Sequence, residues 1–355
     1  MDHGLRRARL AERLGELGID SLLVTELPNV RYLSGFTGTN GALVVAPSAT
    51  AFLTDGRYAE QARHEVRDVE RMVTSRLVPA AGERARDLGI QRLGFEGTLP
   101  FREHGALAEA AAGVELIAVD GAVEQLRASK DPDEMAAIRR AQEITDRALE
   151  VTLPQLVEGV TEREIALVLE IEVRRLGAER LGFDPIVAFG EGAAEPHHGP
   201  SERPLSRGDV VKLDFGALVE GYHADMTRTV ALGEPSEELL AVYDVVRAAQ
   251  SSAATSLRAG ATAGALDEAA RSVIAEAGYG DRYTHPLGHG VGLEIHEWPI
   301  LRARAEDRVP AGAVVTLEPG IYLPGVGGVR IEDMMHVSEA GAEALPSSTK
   351  ELVVL

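Results

Sequence analysis

Asp214, Asp225, His289, Glu318 and Glu332 lie in segments that can bring four carboxylates and one imidazole into a single pocket. Val210-Val211-Lys212-Leu213-Asp214-Phe215-Gly216 and Tyr222-His223-Ala224-Asp225-Met226-Thr227-Arg228-Thr229-Val230 read as two strands around the turn signal Glu220-Gly221. With the turn centred on Val219-Glu220, Asp214 stands directly across from Asp225 on one face. A register shift of two residues leaves them diagonal neighbours. Val314-Val315-Thr316-Leu317-Glu318 and Val329-Arg330-Ile331-Glu332-Asp333 repeat the arrangement around Pro324-Gly325-Val326-Gly327-Gly328, setting Glu318 opposite Glu332. Like charges facing each other on a sheet are destabilising, so each hairpin needs protonation or a cation between its acids. A divalent pair resolves both: four carboxylates carry −4, two divalent ions carry +4, and a neutral His289 adds a nitrogen ligand. Such a set is suited to two-metal hydrolysis. Taken singly, each acid is more often a solvated surface group in a chain with 56 Asp and Glu residues. The whole constellation, with its Gly288-His289-Gly290 context, is hard to assemble by chance.

These residues must be positioned by a folded scaffold, and the composition permits one. A length of 355 residues predicts two domains, and 45% hydrophobic residues suffice for their cores. The net charge of −20 argues against nucleic acid or an anionic membrane as partner, since both would repel it, and 4% aromatic residues leave little for base stacking. The absence of cysteine removes disulfides, thiolate nucleophiles and sulfur-ligated zinc, so the chemistry must use oxygen and nitrogen. The charged first ten residues have no apolar stretch of signal-peptide length, and nothing later is long enough to span a membrane, so a cytoplasmic location is the expectation.

Leu10, Leu14 and Leu17 predict a helix over residues 5–18, and 21–25 then reads as a buried strand. Residues 42–46 and 50–54 flank Pro47-Ser48 as a hairpin, followed by a helix from Arg57 and a strand over 92–96. This α/β half carries no metal-ligand cluster. Pro132, with Asp131 before it, opens a long helix through Ala148, and the domain boundary is placed just ahead of it, giving domains 1–124 and 125–355. Thr161 with Glu164 is a capping box for another helix, and residues 264–276 predict a third. No repeat of solenoid period and no low-complexity tract is present. Two tempting motifs fail. His296-Glu297-Trp298-Pro299-Ile300 lacks the second histidine of a zincin and has proline where a helix must run, and Gly288-His289-Gly290-Val291-Gly292 is not set in a βαβ unit.

At this point the chain resembles the creatinase/prolidase/aminopeptidase P group of metallopeptidases of M24 type. The motifs are Leu213-Asp214-Phe215-Gly216, Asp225-Met226-Thr227-Arg228-Thr229, Gly288 to Glu297, Leu317-Glu318-Pro319-Gly320 and Val329-Arg330-Ile331-Glu332-Asp333. Asn29 to Phe36 and Thr54 to Tyr58 are similar to that group's smaller domain. The resemblance implies an α/β (α+β) chain with a creatinase-like N-terminal domain and a C-terminal pita-bread domain. It implies that Asp214 and Asp225 hold one metal, that Asp225, His289 and Glu318 hold the other, and that Glu332 bridges. The implied reaction is attack by a metal-bridging water on a peptide carbonyl, with Glu318 as general base. Oxygen-rich ligation with one imidazole favours Mn²⁺, with Co²⁺, Fe²⁺ and Zn²⁺ as alternatives.

His197, His285 and His296 stand where the group keeps substrate-contacting histidines, His296 and His197 being implied in proton transfer as well. Arg330 is implied at the substrate site as the residue that orients a carboxylate. The expected activity is that of an Xaa-Pro aminopeptidase acting on peptides with proline second. The alternative is an Xaa-Pro dipeptidase; methionine aminopeptidase and a non-catalytic binding module of the same fold rank lower. Dipeptidases of the group commonly carry an arginine where this chain has Ile300, which counts against strict dipeptide cleavage, although Arg302 and Arg304 lie close in sequence. A homodimer is implied by resemblance alone. Asp225→Asn is expected to abolish activity, and His198→Ala to be mild.

Overall fold

In the computed structural model, which describes residues 1–355, contacts group the chain into two units, Met1–Arg127 and Ala128–Leu355. In the first unit, β1 (Ser21–Val24), β2 (Gly41–Ala46), β3 (Ala49–Thr54), β4 (Glu70–Val73), β5 (Arg92–Glu96) and β6 (Glu115–Val119) form one mixed sheet. Their order is β4-β3-β2-β1-β5-β6. The expected hairpin is β2–β3, with Gly41 facing Thr54 and Ala46 facing Ala49. Helices α1 (His3–Arg13), α2 (Leu27–Ser34), α3 (Ala59–Glu65), α4 (Leu77–Asp87) and α5 (Phe101–Ala110) surround it, and a short α6 (Glu124–Ala128) follows. Val78, Ala81 and Ala85 of α4 and Leu107 of α5 pack on Leu23, Val44, Leu53 and Leu93 of the sheet. Helix α1 is shorter than the apolar spacing predicts: the chain turns out after Arg13, and the Ile19 N–H returns to the Leu14 carbonyl at 3.0 Å.

The second unit begins with the strongest helix-start signal in the chain. Asp131 accepts from the Glu134 N–H while the Glu134 side chain accepts from the Asp131 N–H, opening α7 (Pro132–Thr152). Thr161 and Glu164 make the same reciprocal pair at the start of α8 (Glu162–Arg175). Helix α9 (Glu237–Ser256), capped by Ser236, was not legible from periodicity, while α10 (Ala263–Glu276) was. Both pack Val242, Val246, Leu266 and Ala270 against Val315, Leu317 and Met335 of a sheet. Each Val, Leu or Met buried there contributes about 1.5–3 kcal/mol.

The strands of this unit are β7 (Arg180–Leu181), β8 (Ile186–Phe189), β9 (Val210–Phe215), β10 (Ala217–Val219), β11 (Tyr222–His223), β12 (Met226–Ala231), β13 (Gly288–Gly290), β14 (Glu297–Leu301), β15 (Val314–Leu317), β16 (Gly320–Leu323), β17 (Gly327–Arg330), β18 (Asp333–Ser338) and β19 (Gly341–Ala344). They form four small sheets, β11-β10-β7, β12-β9-β8, β14-β13-β15-β18-β19 and β16-β17.

The first acidic hairpin closes two residues out of the register that puts acid against acid. Glu220 and Gly221 sit at φ 51° and 78°, so they are the two central residues of the turn and Val219 pairs with Tyr222. Asp214 therefore faces Thr227, and Asp225 lies diagonally across from it. Between the two ladders the backbones touch: a Cβ on Gly216 would stand 1.7 Å from the Ala224 carbonyl oxygen, so only glycine fits there. The second acidic pair keeps the expected register, which runs on either side of it from Leu317 facing Asp333 to Gly320 facing Arg330. Glu318 and Glu332 occupy the break between those ladders, where neither backbone is locked into a sheet.

Candidate metal centre

Alternation along β9 and β12 sets Lys212 and Asp214 on the face shared with Thr227 and Thr229. Asp225 leads into β12, His289 is the middle residue of β13, and Glu318 and Glu332 follow β15 and β17. One ligand atom each from Asp225, His289 and Glu332 falls within 4.8 Å of the other two. His289 Nε2 is 3.6 Å from Asp225 Oδ2 and 3.3 Å from Glu318 Oε1. Asp214 joins the group through Arg330, whose Nη2 donates to Asp214 Oδ2.

Burial and mutual repulsion make this an unstable collection of charges by itself. Burial, then the charges of Glu332, Asp214 and Glu318, pushes the Asp225 carboxyl well above the ordinary range. Glu332 is pushed well up by burial, then by Glu318 and Asp214. Glu318 goes the other way: burial raises it, but a hydrogen bond from His289 and the charges of His289, His285 and Arg330 outweigh that. Two carboxylate oxygens, Asp214 Oδ1 and Glu332 Oε1, are buried without any hydrogen-bond donor. A buried acceptor left unmade costs about 1–3 kcal/mol, more when charged, so a cation is the partner these oxygens lack. The donor set fits a divalent pair.

Three side chains to which the sequence reading gave no role orient the cluster. Thr227 Oγ1 donates to Glu332 Oε2 at 2.7 Å and accepts from Arg330 Nε at 3.0 Å. Thr316 Oγ1 accepts from the His289 N–H at 3.0 Å and donates to Glu318 Oε1 at 3.3 Å. Tyr322 OH accepts from Arg330 Nη1 at 3.0 Å and lies 2.8 Å from His285 Nε2. Both threonines stand two residues from a cluster carboxylate along a strand, so period-two alternation was the signal that could have found them. The guanidinium of Arg330 also corrects the charge count made on the sequence, which set four carboxylates against two ions and left this fifth charge out.

A cavity of about 520 Å³ opens over the cluster, with Asp214, Asp225, His289, Glu318 and Glu332 in its lining. His197, His285, His296 and Arg330 line it too, as do Phe183, Ile186, Ile295 and Ile300. The His296 ring lies 4.3 Å from that of His289, centroid to centroid. Burial, followed by the His289 charge, lowers His296; burial lowers His285, so both rings are neutral at pH 7. Arg330 has partners in Thr227, Tyr322, Asp214 and the Pro196 carbonyl, so its visible work is to hold Asp214 and the cavity wall. Arg302 and Arg304, the sequence neighbours that could have replaced an arginine at position 300, are exposed and do not line the cavity. His198 is not a free loop residue: its two ring nitrogens meet Glu162 Oε2 at 2.9 Å and Glu195 Oε2 at 2.7 Å.

Residues 136–339 match metallopeptidase family M24, and residues 6–129 match the creatinase/prolidase N-terminal domain. The chain belongs to metallopeptidase family M24. An Xaa-Pro dipeptidase of Pyrococcus horikoshii is 37% identical over 97% of this chain and 97% of its own length. Among solved structures, an Xaa-Pro dipeptidase from Bacillus anthracis superposes with TM-score 0.96 at 41% identity, covering 100% of both chains. An X-Pro aminopeptidase from Thermotoga maritima gives TM-score 0.88 at 38% identity, over 97% of this chain and 100% of that one. The M24 chain described here is thus a metallopeptidase with a creatinase-type first domain, as its motifs implied. No helix in it is long and apolar enough to cross a membrane.

Proposed function

We propose that this M24 peptidase cleaves the Xaa-Pro bond of dipeptides at a dinuclear divalent-metal centre held by Asp214, Asp225, His289, Glu318 and Glu332. The observation that carries the reading is the meeting of these five side chains, drawn from five separate places in the strand order, on the lining of one cavity. A divalent pair there supplies a water nucleophile at neutral pH and Lewis acidity toward a carbonyl oxygen. Oxygen-rich ligation with one imidazole favours Mn²⁺. Glu318, held below the usual carboxylate range and therefore ionised, takes the proton from the attacking water. Glu318 then delivers that proton to the leaving imino nitrogen, while neutral His296, beside His289, has an N–H to donate in a hydrogen bond to the oxyanion. His197 and His285 line the same cavity and contact the substrate backbone. Ile186, Ile295, Ile300 and Phe183 give the proline ring an apolar surface.

The preference for dipeptides rests on the relatives named Xaa-Pro dipeptidase or prolidase, and it replaces the aminopeptidase reading favoured by the sequence. Ile300 supports the second reading: the only arginine lining the cavity, Arg330, is already engaged, leaving histidines to meet a free carboxylate. Steady-state rates of Mn²⁺-loaded protein on an Xaa-Pro dipeptide and on the same sequence extended by one residue separate the two. A kcat/KM at least tenfold higher for the dipeptide is expected; the reverse order establishes aminopeptidase specificity instead.

A further inference from the structure

The wall of the cavity over residues 193–201 has no strand to hold it, running from the end of a 3₁₀ turn at Ala194 through Pro196, His197, His198, Gly199 and Pro200. Its backbone polar groups must find partners elsewhere. Arg330 holds the Pro196 carbonyl at 3.1 Å in the middle, and two buried side chains hold the ends. Lys212 on β9 is fully buried, and its Nζ donates to the carbonyls of Ala193 at 3.1 Å and Glu195 at 2.5 Å. At the other end Glu162, the first residue of α8 and also fully buried, accepts from Ser201 N at 2.8 Å, Ser201 Oγ at 2.6 Å and His198 Nε2 at 2.9 Å. It accepts from Phe189 N as well, at 2.8 Å, tying the wall to β8.

Stability does not explain Lys212, whose ammonium is pushed down to about 7 by burial and then by the Arg330 charge. An ammonium removed from water and given two carbonyls but no bonded carboxylate is a costly way to fill a core, and a methionine would occupy the same space at lower cost. Lys212 projects from the face of β9 that carries Asp214, yet its hydrogen bonds go to the wall. We infer that Lys212 and Glu162 are positioning residues that clamp the 193–201 wall from its two ends, so that His197 meets the substrate in one fixed pose over the carboxylate cluster. The inference rests on the peptidase reading for its kinetic consequence, but not for its structural one.

The test combines kinetics on an Xaa-Pro substrate, metal content by elemental analysis and amide hydrogen exchange in the full-length, Mn²⁺-loaded protein. Lys212→Met is expected to keep the wild-type metal content and to lower kcat/KM about 10–100-fold. The loss falls on KM, with kcat changed less than about threefold, because the clamp acts on substrate placement. Glu162→Gln, on a different element, should give the same division. Because both residues act through His197, Lys212→Met should add less than about twofold in a His197→Ala background. Amides of residues 193–201 should exchange at least tenfold faster in either variant. Loss of metal, a fall confined to kcat, or full additivity with His197→Ala would each overturn the inference. If Lys212→Met does not fold, Glu162→Gln decides by the same readouts. If wild type cleaves no Xaa-Pro peptide, the peptidase reading fails, and unchanged exchange over 193–201 in the variants would separately sink the clamp.

Discussion

Replacing Asp225 with asparagine should stabilise the metal-free protein while destroying its function. The ligand atoms of Asp225 and Glu332 lie within 4.8 Å of each other, both buried. Two unit charges at that separation repel by about 3.5 kcal/mol at an effective dielectric constant of ~20. Proton uptake by the two acids, both pushed above the ordinary range, offsets part of this, so the figure is a ceiling. Asparagine keeps the shape of Asp225 and removes its charge. In a domain of this size about 1 kcal/mol moves Tm by roughly 2–4 °C, so chelated Asp225→Asn should melt about 5–10 °C above chelated wild type at pH 8. With Mn²⁺ the order reverses. Two ions, each at a hundred times its Kd, stabilise by about 5.4 kcal/mol, more than the repulsion removed and a gain the variant should largely lose together with turnover. Calorimetry of both proteins with and without metal is the assay. The reasoning is refuted if the chelated variant melts below chelated wild type and manganese raises both equally, since the acids would then neither repel one another nor share an ion.

Chelation should abolish peptide hydrolysis, and restoring one divalent ion at a time should recover most with Mn²⁺; equal recovery with Mg²⁺ would count against this donor set. His296→Ala should lower kcat about 10²-fold or more with metal content unchanged, as measured by steady-state kinetics and elemental analysis. For His198, burial lowers the imidazole but its bonds to Glu162 and Glu195 prevail and raise it. A raised folded value means stability present below the unfolded value near 6.5 and lost as pH climbs through the folded one. The Tm gap between wild type and His198→Ala should thus be widest below pH 6.5 and narrow toward pH 9; a gap that grows with pH would show the imidazole is not held as a cation.

Residue type and spacing determined the identity of the cluster and much of its local frame. The capping boxes at Asp131 and Thr161, the β2–β3 hairpin and the register that flanks Glu318 and Glu332 each close within one helix turn or across one chain reversal, so they are readable along the chain. The turn at Glu220-Gly221 was misplaced by one residue because both positions adopt positive φ, a choice that strand patterning does not reveal for a glutamate. What tertiary structure alone decided is which groups answer one another across long separations. Arg330 reaching Asp214, Thr227 reaching Glu332, and Lys212 holding the carbonyls of a distant wall each join segments from about 17 to more than 100 residues apart. No local pattern encodes those pairings. They follow from desolvation: once the sheets bury these polar atoms, each must be met by whichever neighbour the fold has carried to it.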